Sequence, residues 1–336
     1  MSKRLFYLDL VRTIAVILII ITHYNAAFAF YSNPPLYDKC ILTETPFNIY
    51  IGNLGVSLFL IISGCSLMYV YQDKCEILHF YKKRFLSIFP MFWLAYCVFF
   101  VIRIIMQGGF DQSIPKWKII LSVIGMDGYL SEYGNNFYIL GEWFLGFIIL
   151  FYLIFPILRW MMQKSEWITL GAIVILYAIT LKNYNLQLHV SKCILVRLPE
   201  LFFGMWFVKR GFQVSRITAG IAGVLLCVNT ILKPDLHASI QTTYVGIAFF
   251  LVLVYISKWV EKDCVKRMCK VIGKYSYAIF LVHHVIITYM QAGRDLYALS
   301  DCRNYLLFTE CCILIAVAAF ALFICNDFLQ KEGKRV

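Results

Sequence analysis

LDLVRTIAVILIIITHY, residues 8–24, is apolar almost throughout, yet it carries Asp9 and Arg12 at its start and His23 near its end. Its length decides the fold class. An α-helix rises about 1.5 Å per residue and crosses a hydrocarbon core of about 30 Å in about 20 residues. This run and its flanks supply that length without a Gly or Pro. Lys3 and Arg4 precede it, as in a secretory leader, but the apolar run is nearly 20 residues long, beyond the about 7–15 of a leader. The stretch reads as a retained membrane-spanning helix with costly polar groups on it.

The rest of the chain supplies the setting. Of its 336 residues 61% are hydrophobic and 15% charged, with a mean hydropathy of +0.74. Soluble domains carry about 25% charged residues, so the composition excludes an ordinary soluble protein. The formal charge of +12 reads as membrane topology and gives no case for a nucleic-acid partner. The twelve cysteines form no C-x-x-C pair and no Cys/His cluster with zinc spacing, so no metal site is expected. Cys40, Cys193 and Cys302 fall in or near expected outer loops, where only an oxidising compartment would let them pair.

Apolar runs of spanning size give ten candidates: 10–28, 50–71, 85–105, 142–162, 167–181, 193–208, 216–232, 240–258, 272–290 and 305–328. The sixth is the weakest because it contains Arg197, Pro199 and Glu200, and the patch 119–126 is too short to cross. With the N-terminus in the cytoplasm, most of the 31 basic residues fall on inner segments, loop after loop. The expected fold is therefore all-α: a polytopic helix bundle of ten spans, both termini cytoplasmic, forming one domain over 1–336 with no appended soluble domain. The basic loop 258–274 reads as a topology determinant against anionic lipid, or as an attractor of an anionic cytosolic ligand. The outer region 106–141, with Asp111, Asp127 and Glu132, either recognises a polar ligand or covers the bundle.

Ionisable groups within spans are functional candidates by default. Eleven residues separate Arg12 from His23, so the two side chains lie about 20° apart around the helix and about 16 Å apart along it. Asp9 shares the face and is placed to orient the guanidinium. A cation at the mouth and a titratable base deeper down suit an anionic ligand and a proton transfer. Each also has a structural reading: Arg12 snorkelling to the interface, His23 bonding a neighbouring helix. Arg197 and Glu200, three apart, read as an internal pair, Ser63-Gly64 as a close helix approach, and Trp143 as an interfacial anchor.

The opening stretch resembles the first helix of the membrane-bound acyltransferase 3 family, Leu-Asp-x-x-Arg followed by an apolar run and a His. Further resemblances follow in order: GNLGVSLFLIISG (52–64), KKRFLSIFPMFW (82–93), EWFLGFIILFYLIFP (142–156), RLPELFFGM (197–205) and IGKYSYAIFLVHH (272–284). They cover essentially the whole chain. Two departures stand out. Ser87 replaces the second Arg often found before span three. Ile148 and Ile149 stand where one branch has a Glu, and Glu142 does not simply take that role.

The resemblance implies an O-acyltransferase, and an O-acetyltransferase first of all, in a bacterial cytoplasmic membrane. Its cosubstrate would be cytosolic acetyl-CoA or another acyl-CoA, with no permanently bound cofactor. The acceptor would be a hydroxyl of a cell-surface or lipid-linked glycan, as in exopolysaccharide modification. Its partners would be acyl-CoA, the acceptor, membrane lipids and glycan-assembly proteins. His23 is the candidate general base, Arg12 and Arg84 the acyl-CoA-binding cations, and Asp9, Ser63, Tyr277 and His283 candidates for supporting the site. A general-base route and an acyl-His route both remain open. The alternative is a transporter or flippase of a lipid-linked sugar, against which the sequence offers no matched pair of broken helices.

Overall fold

A computed structural model describes residues 5–107, 113–140 and 143–332. Among these residues the structure is helical, with no strand. Eleven α-helices follow one another: α1 (Phe6–Ala29), α2 (Ile51–Tyr71), α3 (Ile77–Gln107), α4 (Ile119–Val123), α5 (Trp143–Lys164), α6 (Glu166–Lys182), α7 (Ile194–Lys209), α8 (Arg216–Leu232), α9 (Ala238–Ser257), α10 (Asp263–Gln291) and α11 (Asp301–Glu332). Each of the ten expected spans falls on a helix, and the patch 119–126 becomes the single turn and a half of α4. Seven helices are long and apolar enough to cross a membrane: α1, α2, α3, α5, α9, α10 and α11. The others of comparable size, α6, α7 and α8, have 17, 16 and 17 residues, about 25 Å of rise.

Helices α3 and α10 outrun their apolar stretches, beginning at Ile77 and Asp263. The basic segment expected to be a loop to 274 is helical from Asp263 onward. Hydropathy marks only where a helix meets lipid, whereas a solvated turn with Asp263 at its N-terminal end continues the same backbone bonds. All twelve cysteines are free thiols, Cys40 and Cys193 buried and Cys302 exposed.

Backbone packing groups the chain into two compact units. The first gathers α1, α2, α6 to α9 and adjoining ends of α5 and α10. Its axis is α2, which packs against α7, α1 and α9. Val11 and Ala15 of α1 meet Leu58, Ile61 and Cys65 of α2, with Phe207 and Phe250 completing the core. Lipid is as apolar as these side chains, so close packing rather than hydrophobic exclusion holds such helices together. Two glycines allow it. A Cβ on Gly204 would lie 2.0 Å from the Ile61 carbonyl oxygen, and one on Gly64 would lie 2.3 Å from that of Leu201. Because the obstacle is backbone, Gly204→Ala has to push α7 off α2. We expect a loss of about 1–3 kcal/mol, seen as a lower Tm of the detergent-solubilised protein, with Gly220→Ala on the open side of α8 unaffected.

The C-terminus of α2 is held from α5. Arg159 donates from Nε to the Tyr71 carbonyl and from a terminal nitrogen to that of Gln72 at 2.9 Å. This fills carbonyls that a helix end leaves open. At the other end of this unit Asn229, Gln241 and Tyr244 bond one another, and Asn229 and Gln241 also hold Phe47 and Asn48 of the 45–49 turn.

The second unit gathers α3, α4, α11, residues 186–192 and the remainder of α5 and α10. Its core is aromatic: Phe80 stacks on Phe155 with centroids 5.3 Å apart, and Phe89, Phe92 and Tyr96 follow along α3. Pro90 lies inside α3 and has no N–H for the Leu86 carbonyl. Gln330 of α11 donates its amide to that carbonyl at 3.4 Å. On α11, Ile313, Val317, Phe320 and Ile324 are exposed, a face suited to lipid. The protein is an integral membrane helical bundle.

Candidate functional site

Asp9, Arg12 and His23 all lie on α1, which runs unbroken from Phe6 to Ala29. An Arg12 guanidinium nitrogen lies 3.6 Å from an Asp9 carboxylate oxygen. Asp9 is buried and Arg12 half-buried. Both line a cleft of about 280 Å³ whose far wall is the last turns of α2, including Ser66 and Tyr69. A carboxylate three residues before a cation fixes the guanidinium while leaving donors for an anion. Ser66 and Tyr69 were not singled out in the sequence. They repeat the three-residue spacing from Ser63, which is a legible signal once α2 is known to flank α1.

His23 is half-buried near the other end of α1. There α2 runs flush against α1: Cβ atoms on Gly52 and Gly55 would sit 2.9 Å from Thr22 and 3.0 Å from Ile19. Two residues beyond His23, the fully buried Asn25 bonds the Ile41 backbone in both directions, at 3.0 and 2.8 Å. This pins the segment after α1 over the end of the helix. Asn25 was also missed, and only the fold reveals its partner.

Ser63 is half-buried one turn deeper on α2, and its hydroxyl donates to the Phe59 carbonyl at 2.7 Å. The buried pair expected on α7 is present. Arg197 and Glu200 are 1% and 0% exposed and 3.3 Å apart. Ser57 of α2 joins them, donating to Glu200 at 2.9 Å and accepting from Arg197 at 3.1 Å. Gly246 of α9 abuts Ser57, so three helices close over the pair.

The other candidates belong to the second unit. Arg84 of α3 is half-buried, its guanidinium 5.9 Å from the Phe80 ring centroid and 5.6 Å from that of Tyr152, within range of a cation–π attraction. Tyr277 donates its hydroxyl proton to the Ile88 carbonyl at 3.1 Å. His283 is fully buried, with Nδ1 3.1 and 2.9 Å from the Ile279 and Phe280 carbonyls. A carbonyl only accepts, so Nδ1 carries the proton and Nε2 of the neutral ring is an acceptor.

Of the acids between α3 and α5, Glu132 is exposed and Asp127 buried. Glu132 is bonded by Lys192 and by the His189 N–H, each at 2.5 Å. Asp127 is buried and accepts from the Gly128 N–H at 2.8 Å, while Asn136 holds the Asp127 carbonyl at 2.7 Å. These contacts tie the segment to itself and to residues 189–192. Asp111 and Glu142 lie outside the described residues.

Burial raises the Asp127 carboxyl to about 6, against bonds from Gly128 and Ser122 that lower it. The folded form thus binds a proton that the unfolded chain has released above about pH 4, so stability falls as pH rises from about 4 to 6. We expect the wild type to lose on the order of 2 kcal/mol over that interval relative to Asp127→Asn, measured as the difference in Tm at pH 4.5 and 7.5.

Asp9 and Arg12 thus line a cleft at the N-terminal end of α1, and the half-buried His23 stands near the other end of the same helix. Residues 5–326 match the model of the acyltransferase domain family, acyltransferase 3, and the chain belongs to that family. It is a membrane acyltransferase. No curated protein and no solved structure gave a match.

Proposed function

We propose that this protein, acting as one domain, transfers an acetyl group from cytosolic acetyl-CoA to a hydroxyl of a cell-surface or lipid-linked glycan. The membrane concerned is a bacterial cytoplasmic membrane, which the seven long apolar helices and the shorter α6, α7 and α8 cross with both termini inside. One observation carries the reading: Arg12, oriented by Asp9, lines a cleft at the N-terminal end of the helix that bears His23 on the same face. The donor's phosphates need a cation that never deprotonates and grips in two-pronged fashion, which Arg12 supplies. The acetyl thioester needs a base deeper in, where an acceptor arrives from the opposite side.

The chemistry balances with one imidazole. Neutral His23 takes the proton of the acceptor hydroxyl as its oxygen bonds to the thioester carbon. The tetrahedral oxyanion collapses, the C–S bond breaks, and the imidazolium returns its proton to the departing thiolate. The hydroxyl proton of Ser63 rests on the Phe59 carbonyl, and Ser63 stabilises the oxyanion only after rotating its O–H away. The acceptor class is tested by mass spectrometry of surface glycans from wild-type and deletion cells. An acetyl mass present on the glycan only in wild type is the expected result; identical glycans sink the assignment.

A further inference from the structure

The sequence KRGF, residues 209–212, ends α7. Gly211 has φ +56, the left-handed stop that glycine adopts without strain. The chain reverses there: Gly211 N–H bonds the Val208 carbonyl at 2.9 Å and Phe212 N–H bonds that of Phe207 at 3.0 Å. The reversal lays the Phe212 ring beside Phe207, centroids 5.7 Å apart. Phe212 thereby becomes a wall of a second pocket, of about 430 Å³, between the start of α1 and the C-terminal ends of α2, α7 and α9. That volume lies within the span of about 300–1,000 Å³ usual for small-molecule sites.

The lining has a definite chemistry. Tyr7, Tyr69 and Phe212 present aromatic surface, and Lys258 stands at the rim. Lys258 donates to the Val214 carbonyl at 2.7 Å, which fixes its head and leaves two of its three N–H donors for a ligand. Glu261 also lines the pocket, with Lys266 3.1 Å from its carboxylate. Leu5 and Tyr69 line this pocket and the Arg12 cleft alike, so the two adjoin and one ligand can occupy both. That ligand needs a flat aromatic end, an anionic group beside it, and a second anionic group within reach of Arg12.

We propose that the aromatic pocket holds the adenosine 3′-phosphate end of the acyl-CoA donor, with the base against Tyr69 and Phe212, the 3′-phosphate on Lys258, and the pyrophosphate passing Tyr69 to Arg12. The assignment rests on the acyl-CoA reading given above. It makes the Gly211 turn a specificity element for the nucleotide, remote from the reacting carbonyl.

The test measures binding of tritiated acetyl-CoA to the full-length protein in lipid nanodiscs. Competitors are adenosine 3′,5′-bisphosphate, which carries only the nucleotide end, and acetyl-pantetheine, which lacks it. Both displace acetyl-CoA from the wild type. In Phe212→Leu and in Lys258→Gln the bisphosphate competes about tenfold or more less well, the scale of losing one stacking ring or one phosphate contact, while acetyl-pantetheine competes as before. Lys258→Gln alters an exposed side chain and serves if the Phe212 variant does not fold. Undiminished competition by the bisphosphate in both variants, with acetyl-CoA still bound, overturns the pocket assignment alone. A wild type that binds no acetyl-CoA overturns the donor reading, and the pocket assignment with it.

Discussion

Glu200→Ala is expected to destabilise the protein by about 3–5 kcal/mol, enough to abolish a thermal transition that the wild type shows in detergent. The substitution removes the carboxylate 3.3 Å from the Arg197 guanidinium and leaves that cation wholly buried. Its remaining partners are the Ser57 hydroxyl at 3.1 Å and the Asn53 carbonyl at 3.4 Å, neither of which carries charge. Glu200→Gln keeps a group for Ser57 to bond and should fall between. The control is the double change Arg197→Met with Glu200→Leu. If the cluster is purely structural, apolar side chains of similar volume should recover most of the stability, because the desolvation of both ions disappears together. A single Glu200→Ala variant with wild-type Tm would show that the charge is not held as described.

His23→Ala is expected to lower kcat for acetyl transfer by about 10²–10⁴-fold, the range for removing a positioned general base. KM for acetyl-CoA should change little, because Arg12 and Asp9 sit about 16 Å and about 21 Å away along α1 and are untouched. Arg12→Ala should do the reverse and act mainly on KM. Added imidazole should restore part of the rate to His23→Ala, which a structural role would not permit. Incubating the wild type with labelled acetyl-CoA in the absence of acceptor separates the two chemical routes. Label retained on protein and absent from His23→Ala marks an acyl-histidine; no label marks direct transfer. Full activity of His23→Ala at normal expression would remove His23 from the mechanism.

The helices were legible because lipid imposes a length and a composition that single segments satisfy alone. Their ends were not: α3 begins at Ile77 and α10 at Asp263, through His79, Lys82, Lys83, Lys266 and Arg267, which hydropathy counts as loop. The Arg12–His23 face was legible for the same local reason, one helix and one period. Ser66, Tyr69 and Phe212 were not, since each matters only through a neighbour far away in sequence. Asn25 and Asp127 illustrate the limit from the other side. Their residue types suggest exposure, yet Asn25 is sealed by the Ile41 backbone and Asp127 by its own turn.

The crossing of α2 and α7 at Gly64 and Gly204 also bears on how such a sequence diverges. Where helices touch through side chains, a lost methylene at one position can be offset by a gain opposite, and lineages drift through paired changes. Here the contact is carbonyl oxygen against Cα on both sides, so no partner residue exists whose shrinkage would admit a larger one. Descendants of this sequence are therefore expected to hold these two positions fixed while Leu58, Ile61 and Phe207 around them wander among apolar types.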